Sequence, residues 1–182
     1  MKPAALLALC CLSACAQTPS LESKLQALAP QGSAWAQVLL PLAPGHGTIC
    51  SHWHGEGSSS LHTYRQKILL AGPRQFRLLF RVQNGKVDRV SAATEDCAIE
   101  AGSQRLETLS SVTPEQVITY LASREDDSHL FALSLIDHPR AATQLIALAK
   151  DASHPRRQKK AFFWLARSRQ PAVQSFLESI LR

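Results

Sequence analysis

Val112-Thr113-Pro114-Glu115-Gln116-Val117 is where the hydrophobic pattern of this chain changes period, and the fold class follows from that change. Thr113 and Gln116 are spaced as a capping box, Pro114 occupies the first helical position, and Val112 and Val117 are placed as the accompanying hydrophobic staple. From there to its end the chain reads as helix, over about 114–124, 129–137, 140–151, 155–168 and 171–181. His138-Pro139, His154-Pro155 and Gln170-Pro171 punctuate the last three, and proline just inside successive short helices points to stacked pairs.

Upstream of Val112 the pattern is that of strands. Asn84-Gly85 carries the clearest local signal, because a two-residue type I′ turn needs positive φ at both central positions and this pair tolerates it best. Phe76–Gln83 and Lys86–Thr94 are then the arms of a hairpin, with Val82 opposite Val87, Arg81 opposite Asp88 and Leu79 opposite Val90. Trp35–Leu42 and Gly47–His52 read as two strands joined by a turn at Pro44-Gly45, Tyr64–Leu70 as another, and Gly55–Ser60 as a flexible loop. Residues 99–109 read as a short strand or a loop leading out of the sheet. Strands first and helices after give an α+β chain: an N-terminal antiparallel β unit over 34–110, packed on a short C-terminal helical stack over 111–182.

At the other end, Lys2 precedes an apolar run, Ala4–Leu12, which falls short of the roughly 20 residues of a transmembrane helix and has the layout of an export leader. Leu12-Ser13-Ala14-Cys15 resembles the lipobox at which bacterial lipoproteins are acylated and cleaved. The resemblance implies a signal peptide over 1–14 and a mature N-terminus at Cys15 that carries a diacylglyceryl thioether and an N-acyl chain. It also implies a cell-envelope location, lipid-anchored and facing the periplasm or the exterior. Two or more acyl chains anchor stably where one would not. Ala16, rather than Asp, after the cysteine implies the outer membrane if the bacterium is Gram-negative. A plain secretory signal cut after Ala14-Cys15-Ala16 is the alternative. Residues 15–33, with Pro19, Pro30 and Gly32, read as a lipidated N-terminus and polar linker in which Leu21, Leu25 and Leu28 have the spacing of one short helix. The folded part is expected to begin near Ala34.

The chain has 182 residues, with 20 Lys and Arg against 14 Asp and Glu and a net charge of +6, of which the leader removes only Lys2. Outside the cytoplasm that excess fits an anionic envelope component or an acidic protein patch as partner, and not nucleic acid. Export also decides the cysteines. Cys10 and Cys11 leave with the leader and Cys15 is consumed by lipid, so Cys50 and Cys97 remain to pair in an oxidising space. Closing a loop of that length stabilises a fold by roughly 4 kcal/mol in the chain-entropy picture. Cys50-Ser51-His52-Trp53-His54 offers a competing chemistry, a zinc or copper site, since Cys50, His52 and His54 would share one face of a strand. A disulfide at Cys50 would withdraw its thiolate from that set.

Leu145-Ile146-Ala147-Leu148-Ala149, His154-Pro155, Ala161–Ser168, Pro171-Ala172-Val173 and Phe176–Leu181 resemble one HEAT repeat running into the next, each repeat being a pair of helices. His154 stands where the family usually has a capping aspartate, Arg157 where it has a small aliphatic, Gln158 where it has arginine and Ala166 where glycine is common. The exported chain as a whole is similar to bacterial HEAT-repeat-domain proteins with no assigned activity. In HEAT proteins the second helix of each repeat lines the partner-binding side, which implies a protein-binding scaffold or adaptor. Projected at about 100° per residue, Pro155–Ser168 places Ala161, Trp164, Leu165 and Ser168 on a core face. Arg156, Lys159, Lys160 and Arg167 fall on the opposite face with Phe163 among them, a basic stripe suited to anionic groups through charge and cation–π contact. A solvated helix face is the plainer alternative. Arg157 projects toward the buried side, where its stem would snorkel.

No catalytic constellation assembles in the sequence. Ser58-Ser59-Ser60 lacks the Gly-x-Ser-x-Gly turn, adjacent Glu95 and Asp96 would point to opposite faces of a strand, and there is no phosphate-cradling loop or His-Glu-x-x-His. The expected function is that of a non-enzymatic envelope lipoprotein needing no cofactor, with metal binding through Cys50, His52 and His54 as the alternative.

Overall fold

Asn84 and Gly85 adopt φ of 50° and 73° in the computed structural model, which describes residues 19–50, 61–124 and 126–182. Both central positions of the turn are left-handed, so the hairpin closes as the Asn-Gly pair predicts. The strands in chain order are β1 (Ala34–Pro41), β2 (His62–Arg65), β3 (Gln75–Gln83), β4 (Lys86–Thr94), β5 (Cys97–Glu100) and β6 (Arg105–Thr108). The helices are α1 (Leu21–Gln26) before the strands, then α2 (Pro114–Ala122), α3 (Asp127–Leu135), α4 (Pro139–Lys150), α5 (Pro155–Leu165) and α6 (Pro171–Ile180) after them. Sheet and helices are segregated along the chain, which makes it α+β.

The hairpin register departs from the expected one at a single point. Val82 faces Val87, but a β-bulge beside Arg81 shifts the ladder, so Arg81 pairs with Arg89, Phe80 with Val90 and Leu79 with Ser91. The expected Leu79–Val90 pairing does not form. Val87 and Val90 lie an odd number of positions apart, yet both pack on the inner core with Phe80 and Val82, and an extra residue in β4 is what turns them to one face. Arg81 keeps its carboxylate all the same, donating to Asp88 through Nη2 at 2.7 Å and Nε at 2.9 Å.

The larger sheet has the order β4-β3-β1-β6. β3 runs antiparallel to both neighbours, whereas β6 runs parallel to β1 at the edge, with Ala34 opposite Arg105 and Gln37 opposite Thr108. The 99–109 stretch therefore contributes to two strands: β5 leaves the sheet to pair antiparallel with β2, and β6 returns to its edge. The strand expected over 64–70 stops at Arg65, after which Gln66 and Lys67 both donate their backbone N–H to the Asp96 carbonyl. The strand expected over 47–52 is irregular through its described part, tied to Thr94 by the Ile49 N–H and carbonyl; His52 lies outside the described residues.

α3 is the helix on which the two halves meet. Its residues from His129 to Leu135 are all buried, as befits a helix apolar around most of its circumference, and it packs on β4 as well as on α2, α4 and α5. Ala43 N donates to Leu135 O at 2.8 Å and Asp137 N to Pro41 O at 3.0 Å, which ties the end of β1 to the exit of α3. Thr113 and Gln116 form the capping box read from the sequence. The folded part begins before Ala34, however. Leu21, Leu25 and Leu28 are buried in the main core, and α1, capped by Ser20, packs on α2 and β4. The linker expected over 15–33 is thus part of the packed structure through most of its described residues, because three leucines on one helical face gain more from burial than from water.

Candidate functional site

The position of α5 is set at its first turn. Asp151 accepts from Ser153 N at 3.0 Å and from the Ser153 hydroxyl, and its other oxygen meets His154 Nδ1 at 2.9 Å. The Ser153 hydroxyl first, and His154 next, push the Asp151 carboxyl down to about 2. His154 is therefore turned to Asp151, and its side chain makes no capping hydrogen bond to α5. Arg157 does more than snorkel: its Nη2 donates to the carbonyls of Ala122 and, at 2.8 Å, Arg124. Those carbonyls end α2, where unpaired acceptors and the helix dipole both favour a cation. The guanidinium fastens α5 across the end of α2.

Of the basic stripe read from the sequence, Lys160, Phe163 and Arg167 come together at a cleft of about 670 Å³. Lys160 is ion-paired with Asp127 in the first turn of α3. α5 ends at Leu165, short of the expected 168, so Arg167 lies in the following turn and folds back, placing its guanidinium 3.9 Å from the centre of the Phe163 ring. Phe163 is 49 % exposed beneath it. Trp164, expected in the core with Ala161, Leu165 and Ser168, is instead half-buried; its ring stands 4.9 Å from Phe163 and 4.8 Å from Phe131, forming an aromatic floor. Arg156 and Lys159 are exposed and stand outside this cleft, Arg156 lining a neighbouring recess of about 560 Å³ with Lys160 and His154.

The far wall is Gly45-His46-Gly47, which runs from the expected Pro44-Gly45 turn into the expected start of a strand at Gly47. Gly45 has φ of 89°, a left-handed backbone that favours glycine, and the Arg169 side chain lies over the space a Cβ would take. Burial holds the His46 imidazole below its ordinary range, against a hydrogen bond to the backbone of Ser134, and leaves it neutral near pH 7. A histidine set between two glycines was the one signal in the sequence that could have marked this wall. No family model, curated protein or solved structure matches the chain. The chemistry of the cleft is apolar at its floor and cationic at the Arg167 rim.

Cys50 and Cys97 are joined in a disulfide, with their Cα atoms 5.3 Å apart. Cys50 is thereby withdrawn from the Cys50, His52 and His54 metal set, because a disulfide sulfur is not a thiolate ligand. His52 and His54 lie outside the described residues, among which no group of three His, Cys, Asp or Glu converges. Glu95 and Asp96 serve the β4–β5 turn. Glu95 accepts the backbone N–H of Arg74 at 2.7 Å, and Asp96 accepts from the Thr48 hydroxyl at 2.6 Å. Burial pushes the Asp96 carboxyl up, but Thr48, Thr94, a backbone N–H and Arg65 together outweigh it and hold the group below the usual carboxylate range.

Proposed function

We propose that this chain is a non-enzymatic lipoprotein of the cell envelope, acylated at Cys15 and facing the periplasm or the exterior, which acts as a scaffold or adaptor by docking a protein partner at α5. The observation that carries this reading is Arg167 stacked on half-exposed Phe163 beside the Trp164–Phe131 floor. An aromatic ring already clamped by a guanidinium loses little freedom when a partner arrives, and Trp, Tyr and Arg side chains dominate interface energetics. Lys160 is compensated by Asp127, whereas among the described residues Arg156, Lys159 and Arg167 are in no ion pair with a carboxylate and supply the positive field. The partner segment that fits is acidic and carries an apolar side chain for the floor. Close packing of α4 on α5 accords with the two helices of one HEAT-like repeat.

Photo-crosslinking in intact cells tests the docking role, with the crosslinker placed at exposed Ala166. The wild-type background should yield a discrete envelope adduct. The triple variant Arg156→Glu, Lys159→Glu, Arg167→Glu should lose it while keeping its thermal midpoint. An unchanged adduct pattern overturns the docking reading. Incorporation of a palmitate analogue that survives Cys15→Ser overturns the anchor separately.

A further inference from the structure

The connection from β2 to β3 presents apolar side chains to water in a way no other described loop does. Ile68 is 74 % exposed and Leu70 102 % exposed, with Leu69 partly buried between them. Scattered exposed leucines are ordinary, but two large aliphatics at the tip of one projecting turn are not. The base of the loop is pinned on both sides. Gln66 N and Lys67 N donate to the Asp96 carbonyl at 2.9 and 3.3 Å, Arg74 N donates to Glu95 Oε1 at 2.7 Å, and Leu42 N donates to Arg74 O at 2.8 Å. Between these points the chain reverses through its own turn, Gly72 N donating to Leu69 O at 3.0 Å with φ of 75° at Gly72. A Cβ added at Gly72 would meet nothing within 4 Å, so the tip stands in open space. The loop is held at its base and projects its apolar residues outward.

The loop's own charge has one sign, since residues 66–74 hold Lys67 and Arg74 and no acid. Lys67 and Arg74 are exposed, and among the described residues neither is ion-paired with a carboxylate. Arg65 is also exposed, 3.5 Å from buried Asp96. The acids lie at the base of the loop, not at its tip: Asp96 is held by Thr48 and Arg65, Glu95 accepts from the Arg74 and Gln75 backbone, and Glu100 accepts from the Tyr64 hydroxyl at 3.0 Å. An acidic protein surface would answer the cations but not two aliphatic side chains standing proud of the backbone. Anionic lipid answers both, with phosphates at the level of the basic collar and acyl chains just beneath it.

We infer that Gln66–Arg74 is a membrane-docking wedge, in which Ile68 and Leu70 enter the headgroup–acyl boundary of an anionic bilayer while Lys67 and Arg74 engage lipid phosphates. This does not rest on the α5 cleft or on acylation. Residues 16–182 are the right material, since they hold every described contact and carry neither the apolar leader nor Cys15. Such protein should co-sediment with mixed phosphatidylglycerol–phosphatidylcholine vesicles, and less well with phosphatidylcholine alone. Ile68→Ser with Leu70→Ser should lower the partition coefficient about tenfold or more. Lys67→Gln and Arg74→Gln should each lower it about fivefold, on the anionic vesicles only. These residues are already exposed, so the far-UV spectrum and the disulfide should survive every substitution. Ile68→Trp gives a local readout, its added emission shifting to the blue and being quenched by brominated acyl chains. Equal partition of the wild type and the double serine variant, equal binding to neutral and anionic vesicles, or unshifted emission from Ile68→Trp each overturns the wedge.

Discussion

The two faces of β3 are held by different means. Phe76, Leu78, Phe80 and Val82 look inward onto Val90, Ala92 and the helices, so every second residue is a large hydrophobe. On the outward side Leu79 is buried, but its neighbours along that face are Arg77 and Arg81. The outer cluster is accordingly small: Trp35, Leu61, Leu79, Ala93 and Cys97. Directed bonds take over there. Trp35 Nε1 donates to Gln104 Oε1 at 2.8 Å, Arg77 Nη1 donates to the Cys97 carbonyl at 3.0 Å, and the disulfide joins Cys97 to Cys50. Burial of apolar area is non-directional and tolerant, whereas hydrogen bonds and a cross-link work only with their specific partners in place. The inner face would hold in any compartment, and the outer face leans on an oxidising one.

Phe80→Ala is the most severe test of that contrast. The ring is fully buried and stands edge-on to Tyr120 at 5.6 Å, so its removal should cost roughly 4–5 kcal/mol in chemical denaturation, the upper part of the range for buried aromatics. A cost near the roughly 0.5 kcal/mol typical of surface sites would mean that the inner face is not what holds the sheet to the helices. Removing the cross-link with Cys50→Ala and Cys97→Ala should cost less, roughly 2–4 kcal/mol for a sequence separation of 47. The loss should also be local. Hydrogen exchange should accelerate first in β2 and β5, while α3 keeps its protection. Simultaneous loss of protection in α3 and β5 would merge the two faces into one cooperative unit.

The same contrast explains what could be read from the residues and what could not. The Asn84-Gly85 turn, the Thr113 capping box and the proline-led helices are local, set by residues a few positions apart, and each stands where the pattern puts it. The bulge beside Arg81 is not local. It answers a demand from α3 and α1, which pack on β4, that Val87 and Val90 share a face, and no turn chemistry in the hairpin announces that demand. The parallel β6 edge and the burial of α1 are missed for the same reason, since a leucine spacing gives the face of a helix but not the surface that covers it. At the candidate site the stripe on α5 was legible as a periodicity. Its far wall at His46 and its floor at Phe131 come from distant parts of the chain, and only the fold brings them beside Trp164.

Acid acts on the inner side through a buried histidine. His129 on α3 is buried against Tyr120, their ring centres 6.1 Å apart, and burial pushes its imidazole down to about 4, with Asp126 raising it and Arg124 and Arg157 lowering it further. A histidine whose folded pKa lies below its unfolded value binds more protons when unfolded throughout the interval between them. Its contribution is therefore complete above about pH 6.5, declines as pH falls toward 4, and changes no further below that. The loss over that interval is about 3 kcal/mol at one site. His46, held neutral in the same direction, adds to the slope, so the two must be separated by substitution. His129→Gln removes the steeper part if the burial is what displaces it, and His46→Gln leaves that part in place. Denaturant midpoints measured from pH 7 to pH 4 should fall more steeply in the wild type than in His129→Gln. Parallel curves would mean that α3 admits a charged imidazole beside Tyr120, and that the inner core is wetter at the start of α3 than its packing implies.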